Sequence, residues 1–292
     1  MTAVANITEV GNSITVGNVV ASIVAPPFVK AAVGLNSLQR EGLPGKGQSA
    51  VKKWPRDGSL TSATLAESVA MPIDANGEFT QTSATTTAAK IAVMSGLSLE
   101  QDKFGNLDIA KMAEAAAAAH GRYVSNDIIS QATGFSQSVI CSSIITIDDL
   151  FLALFALQNS NCPDQDVLPH FICSPRTGIN IKREQYQSGA AAYTHPAMLE
   201  ILNGMPTDTG YLGTIPGLCQ VYQTTGHQTT GGDDRMPFVH PLWALCGIFD
   251  NSPELWITKK GAEGFYTEIG SPYFYDVTEY NDLAGVEVRA DT

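Results

Sequence analysis

Two adjacent carboxylate pairs, Asp148-Asp149 and Asp233-Asp234, are the residues best suited by type to hold a cation. Neighbouring side chains on a helix point about 100° apart, and Thr146-Ile147-Asp148-Asp149 has the form of a helix start, so the first pair reads as a cap. The second lies in the polar stretch GHQTTGGDD, which predicts a loop and at most a weak calcium contact. His170 and Cys173 form a lone H-x-x-C. In a strand-like run an offset of three puts the two side chains on opposite faces, which argues against a metal.

The cysteines (Cys141, Cys162, Cys173, Cys219, Cys246) are odd in number, irregularly spaced and mostly flanked by apolar residues. They predict buried, reduced thiols and neither a zinc site nor a disulfide framework. Gly45-x-Gly47-x-x-Ala50 lacks the preceding strand and following helix of a dinucleotide fingerprint. GLPGKGQS lacks the spacing that wraps backbone amides around phosphates, and GFSQS at 134–138 misses the final glycine of a nucleophile elbow. His120, His195, His227 and His240 are scattered, with no H-E-x-x-H. No catalytic, cofactor-binding or metal-binding residue is therefore assigned, no cofactor is expected, and a non-enzymatic role is favoured. A site assembled across the fold leaves no local motif, so a soluble enzyme with a non-local site stays as an alternative.

Charge separates the chain into two parts. Residues 1–60 carry Lys30, Arg40, Lys46, Lys52, Lys53 and Arg56 against three acids, a net of +3, while the remainder holds −15 of the total −12. An acidic body repels nucleic acid and anionic membranes; a basic leading segment seeks acidic surface, including that of neighbouring copies. The longest apolar run, Leu150 to Leu157, is less than half of what a membrane span needs. The first twenty residues lack the basic start of a secretory signal.

Residues 1–48 show little periodicity and read as an extended arm with short apolar patches, ASIVAPPF and AAVGL. Residues 49–95 read as a Thr-rich extended hairpin turning at Asn76-Gly77, followed by a return strand. So few core-forming residues cannot stabilise a hairpin in water, so it needs support from elsewhere in the fold or from another subunit. Leu107 to Ala132, with its alanine run, predicts a spine helix of about 26 residues, roughly 40 Å long. Asn106 is its expected N-cap, and Gly121 is a blemish in it. Leu150–Leu157, apolar on all sides, predicts a fully buried helix. A strand VLPHFICS, a helix near 177–187, a short helix ending at Gly204 and a series of strands from Leu218, GFYTEIG and YFYDVTE among them, complete an α+β layout.

Arm, hairpin, spine helix and compact α+β domain, in this order, resemble the major capsid proteins of tailed bacteriophages, the Hong Kong 97-like shell fold. LAESVAMP at Leu65–Pro72 resembles the descending limb of that family's extended loop, and TAAKIAVMSGLSLEQD at Thr87–Asp102 its return strand. TIDDLFLALFAL resembles the central helix of its axial domain, ICSPRTGINI the next strand and helix, and GTIPGLCQVYQT the strand after them.

The resemblance implies an arm at 1–48, an extended loop and return strand at 49–95 and a peripheral domain with the spine helix at 96–145. It implies an axial domain at 146–250 and C-terminal strands at 251–292 that complete both domains. It also implies self-assembly into hexamers and pentamers of an icosahedral shell around double-stranded DNA, bound without sequence specificity and packaged in a virion assembled in the host cytoplasm. Scaffolding, portal and decoration or cement proteins are the implied partners, and no membrane is involved. Some family members crosslink through a loop lysine; none lies between Lys53 and Lys90 here, which argues against that chemistry. No long charged helical region precedes the arm, so a scaffolding segment is expected to be separate or removed. An encapsulin-type cellular shell is the nearest alternative, disfavoured by the missing amphipathic N-terminal helix.

Overall fold

The computed structural model describes residues 25–44, 49–56, 82–98, 109–141, 144–160, 162, 164, 166–187, 210–225, 228–230, 233–250, 253–260 and 266–291. The LAESVAMP segment, the Asn76-Gly77 turn, the Asn106 cap and the short helix ending at Gly204 lie outside these residues.

Two mixed sheets carry the molecule. In the five-stranded sheet the long strand β13 (Tyr266–Glu279) is central. One of its edges pairs with the return strand β4 (Ala89–Ser98), and the other with β12 (Trp256–Lys260) and β11 (Leu245–Phe249) in tandem. The sequence suggested two strands here, GFYTEIG and YFYDVTE. They are one, because Pro272, which lacks an N–H, falls between the β12 and β11 pairings, where no ladder bond is required of it. β1 (Gln39–Gly42) adds in parallel outside β11.

The seven-stranded sheet runs β5 (Ser138–Cys141), β14 (Gly285–Asp291), β10 (Asp233–Val239), β6 (His170–Cys173), β8 (Cys219–Gln223), β7 (Tyr211–Ile215), with β9 (Gln228–Thr230) paired to β10. The boundaries expected at 145/146 and 250/251 therefore cut across both sheets. β5 belongs with the later strands, and β11 belongs with β13.

The spine helix, Ile109–Ser130, spans 22 residues, so about 33 Å, and lies on β13. Buried His120 donates from Nε2 to the Ser271 carbonyl at 2.7 Å, and Tyr275 donates to Asp127 Oδ2 at 3.0 Å. Ala113, Ala116 and Ala117 are buried, so part of the alanine run is a close-packed face.

The arm expectation changes at residues 25–42. Residues 25–31 form a helix, 35–37 a 3-10 turn, and Phe28, Ala32, Val33, Leu35 and Leu38 join the main core of the same chain. Patches too brief to form a core alone are sufficient to dock on one. Gly121 is what lets them dock. A Cβ there would stand 2.5 Å from the Phe28 carbonyl oxygen and 2.7 Å from Ala31 Cβ. This glycine is thus a close-approach site between two helices and not a blemish. Gly121→Ala gains about 1 kcal/mol of helix propensity yet is expected to be net destabilising, by about 1–3 kcal/mol from overpacking. Denaturant unfolding of the variant beside wild type checks the sign.

The helix expected to be fully buried, Ile147–Asn159, is buried on one face only. Ile147, Leu150, Ala153 and Leu157 face the core, while Phe151, Leu152 and Phe155 are exposed. A helix lying on one sheet can turn only a stripe inward. Among the described residues Phe151 and Phe155 do not belong to the core cluster. A fourth helix, Pro175–Gln187, follows β6 as expected.

Candidate assembly surface

The hairpin base is the part of the molecule that sequence reasoning left without support. β2 (Val51–Arg56) and β3 (Thr82–Thr87) pair antiparallel over six residues, so the chain at 57–81 leaves and re-enters through a two-stranded stem. One aromatic fixes that stem to the body. Trp54 is 3% exposed and packs with Cys246, Ile248 and Tyr280, strand and loop residues of the five-stranded unit. Its indole Nε1 donates to Thr86 Oγ1 at 2.9 Å, which satisfies the polar end of a buried ring and the fully buried Thr86 together. Two further bonds tie stem to body: Tyr280 donates to the Pro55 carbonyl at 2.5 Å, and the Thr87 N–H donates to Asp276 Oδ2 at 2.6 Å. Burial holds the Asp276 carboxyl above its usual range, only partly offset by that N–H, with Asp127 pushing the same way.

Two lysines lie on the stem strand β2. Lys52 pairs with Glu41 and sits 4.5 Å from the Trp54 ring centroid. Lys52 and Lys53 also line a cleft of about 410 Å³ with Glu41, Gly42, Pro44, Ser49 and Val51, between β1 and β2. The stem therefore places Lys52 and Lys53 at its base, beside β1.

The candidate ligand residues of the sequence resolve into structural roles. Asp149 completes a capping box: Thr146 Oγ1 accepts from the Asp149 N–H at 3.3 Å, and Asp149 Oδ2 accepts from the Thr146 N–H at 2.8 Å. Asp233 and Asp234 correct the loop expectation. They are the first residues of β10, paired with both β9 and β14, so their side chains take opposite faces and do not converge. Among the described residues no group of three His, Cys, Asp or Glu side chains is placed to hold a metal. His170 and Cys173 are both buried in β6. His170 shares a 3.0 Å hydrogen bond between Nδ1 and Ser37 Oγ, and its ring lies 5.1 Å from that of Tyr222.

All five cysteines are buried and none is in a disulfide. Burial pushes Cys141 and Cys173 up to about 12 and Cys162 to about 11, and raises Cys219 as well, so these thiols are inert at neutral pH. Burial also lowers His170 to about 4, with His240 adding to the shift. The unfolded chain takes up this proton below about pH 6.5 and the folded chain only near pH 4. The contribution of neutral His170 is thus complete above 6.5 and is lost as pH falls toward 4, by ~3 kcal/mol in all. His170→Asn should accordingly lose less stability than wild type between pH 6.5 and 4, which paired thermal melts across that range measure.

The residue cluster that sequence reading missed is an ion triad. Glu287 of β14, 2% exposed, is gripped by Arg289 from Nε and Nη2, both at 2.8 Å, and approached by Arg235 Nη1 of β10 at 3.3 Å. Its signals were the alternation of V-E-V-R and the Arg235↔Arg289 register, and the register appears only once strands are paired.

A scan against protein-family models finds no match, and a search of curated proteins finds none either. Solved structures do match. A chain from Mycobacterium phage Che8 aligns with TM-score 0.64 at 15% identity, covering 88% of this chain and 90% of that one. The acidic stable capsid of Helicobacter pylori bacteriophage KHP30 aligns with TM-score 0.64 at 10% identity over 87% and 88%. The capsid of a native gene transfer agent (GTA) particle, computed with C5 symmetry, aligns with TM-score 0.60 at 9% identity over 90% and 91%. The chain thus has the α+β, Hong Kong 97-like shell fold of phage capsids, along nearly its full length.

Proposed function

We infer that this chain is the major capsid protein of a tailed bacteriophage, a structural subunit that assembles into hexamers and pentamers of an icosahedral shell around double-stranded DNA. The observation that carries this reading is the shell fold over about nine-tenths of the chain, together with a hairpin stem anchored to the body by a single buried tryptophan. In this reading the spine helix and five-stranded sheet form the peripheral domain, and the seven-stranded sheet with its helices forms the axial domain. The loop at 57–81 reaches over a neighbour, guided by the cations at the stem base toward the acidic body of that neighbour. The acidic body also fits a container for DNA, since a wall that gripped phosphates would resist packaging.

No catalytic role is assigned: the carboxylate pairs cap a helix or diverge along a strand, and the described cysteines and His170 are buried in the core. Scaffolding, portal and decoration proteins are the partners this function calls for, and the virion is its location, with assembly in the host cytoplasm. Size-exclusion chromatography of the purified full chain tests the reading. A megadalton species supports it, and a stable monomer or dimer contradicts it.

A further inference from the structure

The helix Ile147–Asn159 turns Phe151, Leu152 and Phe155 outward at 45, 57 and 66% exposure. Spaced i, i+1 and i+4, they form one continuous face. Ile144, just before the helix, is exposed too. Together these side chains leave a few hundred Å² of apolar surface in water, in the range of the largest patch on a monomer. Carboxylates rim the N-terminal end of the face. Asp148 is exposed, Asp149 belongs to the cap, and Glu184 accepts from the Ile147 N–H at 2.9 Å. The Glu184 carboxyl is raised by burial, and Asp148 and Asp149 add to the shift, which marks a concentration of negative charge.

The next helix, Pro175–Gln187, carries a matching stripe of opposite sign. Arg176, Ile179 and Arg183 are exposed along one side, an apolar side chain between two guanidinium groups. Arg176 to Arg183 and Asp148 to Phe155 are both seven residues, about 10 Å along a helix axis. By their buried sides the helix Pro175–Gln187 packs over β8 and the helix Ile147–Asn159 over β5 and β14, and the two helices meet where Glu184 accepts from the Ile147 N–H.

We propose that the Phe151–Leu152–Phe155 face of one copy is covered by the Arg176–Ile179–Arg183 stripe of a second copy. Ile179 packs among the aromatic rings, the guanidinium groups lie over those rings and reach the carboxylate rim, and the charges of the two faces cancel. Since the two faces differ, the contact is head-to-tail, and contacts of this kind close into a ring when the rotation between copies closes, as a shell's five- and six-membered rings require. This rests on the shell reading and deepens it by naming the contact that makes the ring.

Wild type, Phe155→Ser and Arg183→Glu, with Arg183→Lys as the conservative control, test it in the whole chain. Each exposed-site variant should keep the far-UV circular dichroism and melting temperature of wild type while the yield of sedimenting particles drops at least tenfold. Arg183→Lys should restore part of that yield. A photo-crosslinking benzoylphenylalanine at position 155 of assembled particles should give a covalent dimer whose joined peptide maps to 175–187. Wild-type yields from both variants, with wild type itself forming shells, would overturn the contact and leave the shell reading standing. A crosslink to a different protein, or to another part of a second copy, would overturn the assignment of this stripe. A wild-type chain that stays monomeric would remove the shell reading, and the contact with it.

Discussion

Arg289→Met is expected to cost about 3–5 kcal/mol of folding stability, among the largest losses of any single change outside the apolar core. Arg289 makes both of the 2.8 Å contacts to Glu287, and Arg235 stands farther off at 3.3 Å, outside hydrogen-bond geometry. Removing Arg289 leaves a carboxylate that is 2% exposed on β14, between β5 and β10, with only the longer ion pair to Arg235 to compensate it. The opposite deletion is less costly. Glu287→Met leaves Arg235 and Arg289 with side chains 18% and 31% exposed, so water can take over part of their solvation. An expected loss of about 1–2 kcal/mol for Glu287→Met, well under that of Arg289→Met, follows from this asymmetry. Urea unfolding of the two variants beside wild type measures it, and equal losses would mean that the triad is solvated more evenly than its burial indicates.

Trp54→Ala should have a comparable energetic effect expressed in a different place. Truncating a buried tryptophan costs about 3–5 kcal/mol, and here it also leaves fully buried Thr86 without the indole N–H. The stem is joined to the body mainly through that ring, the Tyr280 to Pro55 bond and the Thr87 to Asp276 bond. The loss therefore falls on stem docking more than on the two sheets. Hydrogen exchange of the unassembled subunit should show protection at Val51–Arg56 and Thr82–Thr87 reduced by roughly 10²–10³, with little change in the spine helix. A uniform loss over the whole chain would show that the stem and body unfold as one unit. If the stem directs the loop toward a neighbour, the variant should also assemble poorly.

How far these features could be read from sequence depends on whether their cause is local. The spine helix was legible because its alanine-rich composition acts residue by residue, and the Thr146 cap because a capping box is four residues long. The return strand is legible from its pattern as well, and so are the C-terminal strands, except that the single strand Tyr266–Glu279 reads as two. Gly121 was misjudged because its cost is set within the helix, while its reason, the Phe28 carbonyl and Ala31, lies about 90 residues earlier. The leading segment reads as an extended arm for a related reason: five buried side chains scattered over 28–38 carry no clear period, and only the core they enter makes them a folded element. The helix Ile147–Asn159 misled in the other direction. Uniform apolarity signals burial without saying by what, and a subunit whose neighbours complete it looks in sequence like a subunit with a larger core. Asp233-Asp234 were placed in a loop because glycines precede them, and strand pairing on both sides outweighed that local signal.

The central claim is that this chain is a shell subunit whose stability and exposed apolar faces are completed by copies of itself. Electron microscopy of the full-length chain purified from an expressing host tests it most directly. Closed, icosahedrally symmetric particles, or at least five- and six-membered rings, are the predicted result. A uniform population of dispersed monomers, well folded by circular dichroism at concentrations far above those used for imaging, would contradict it.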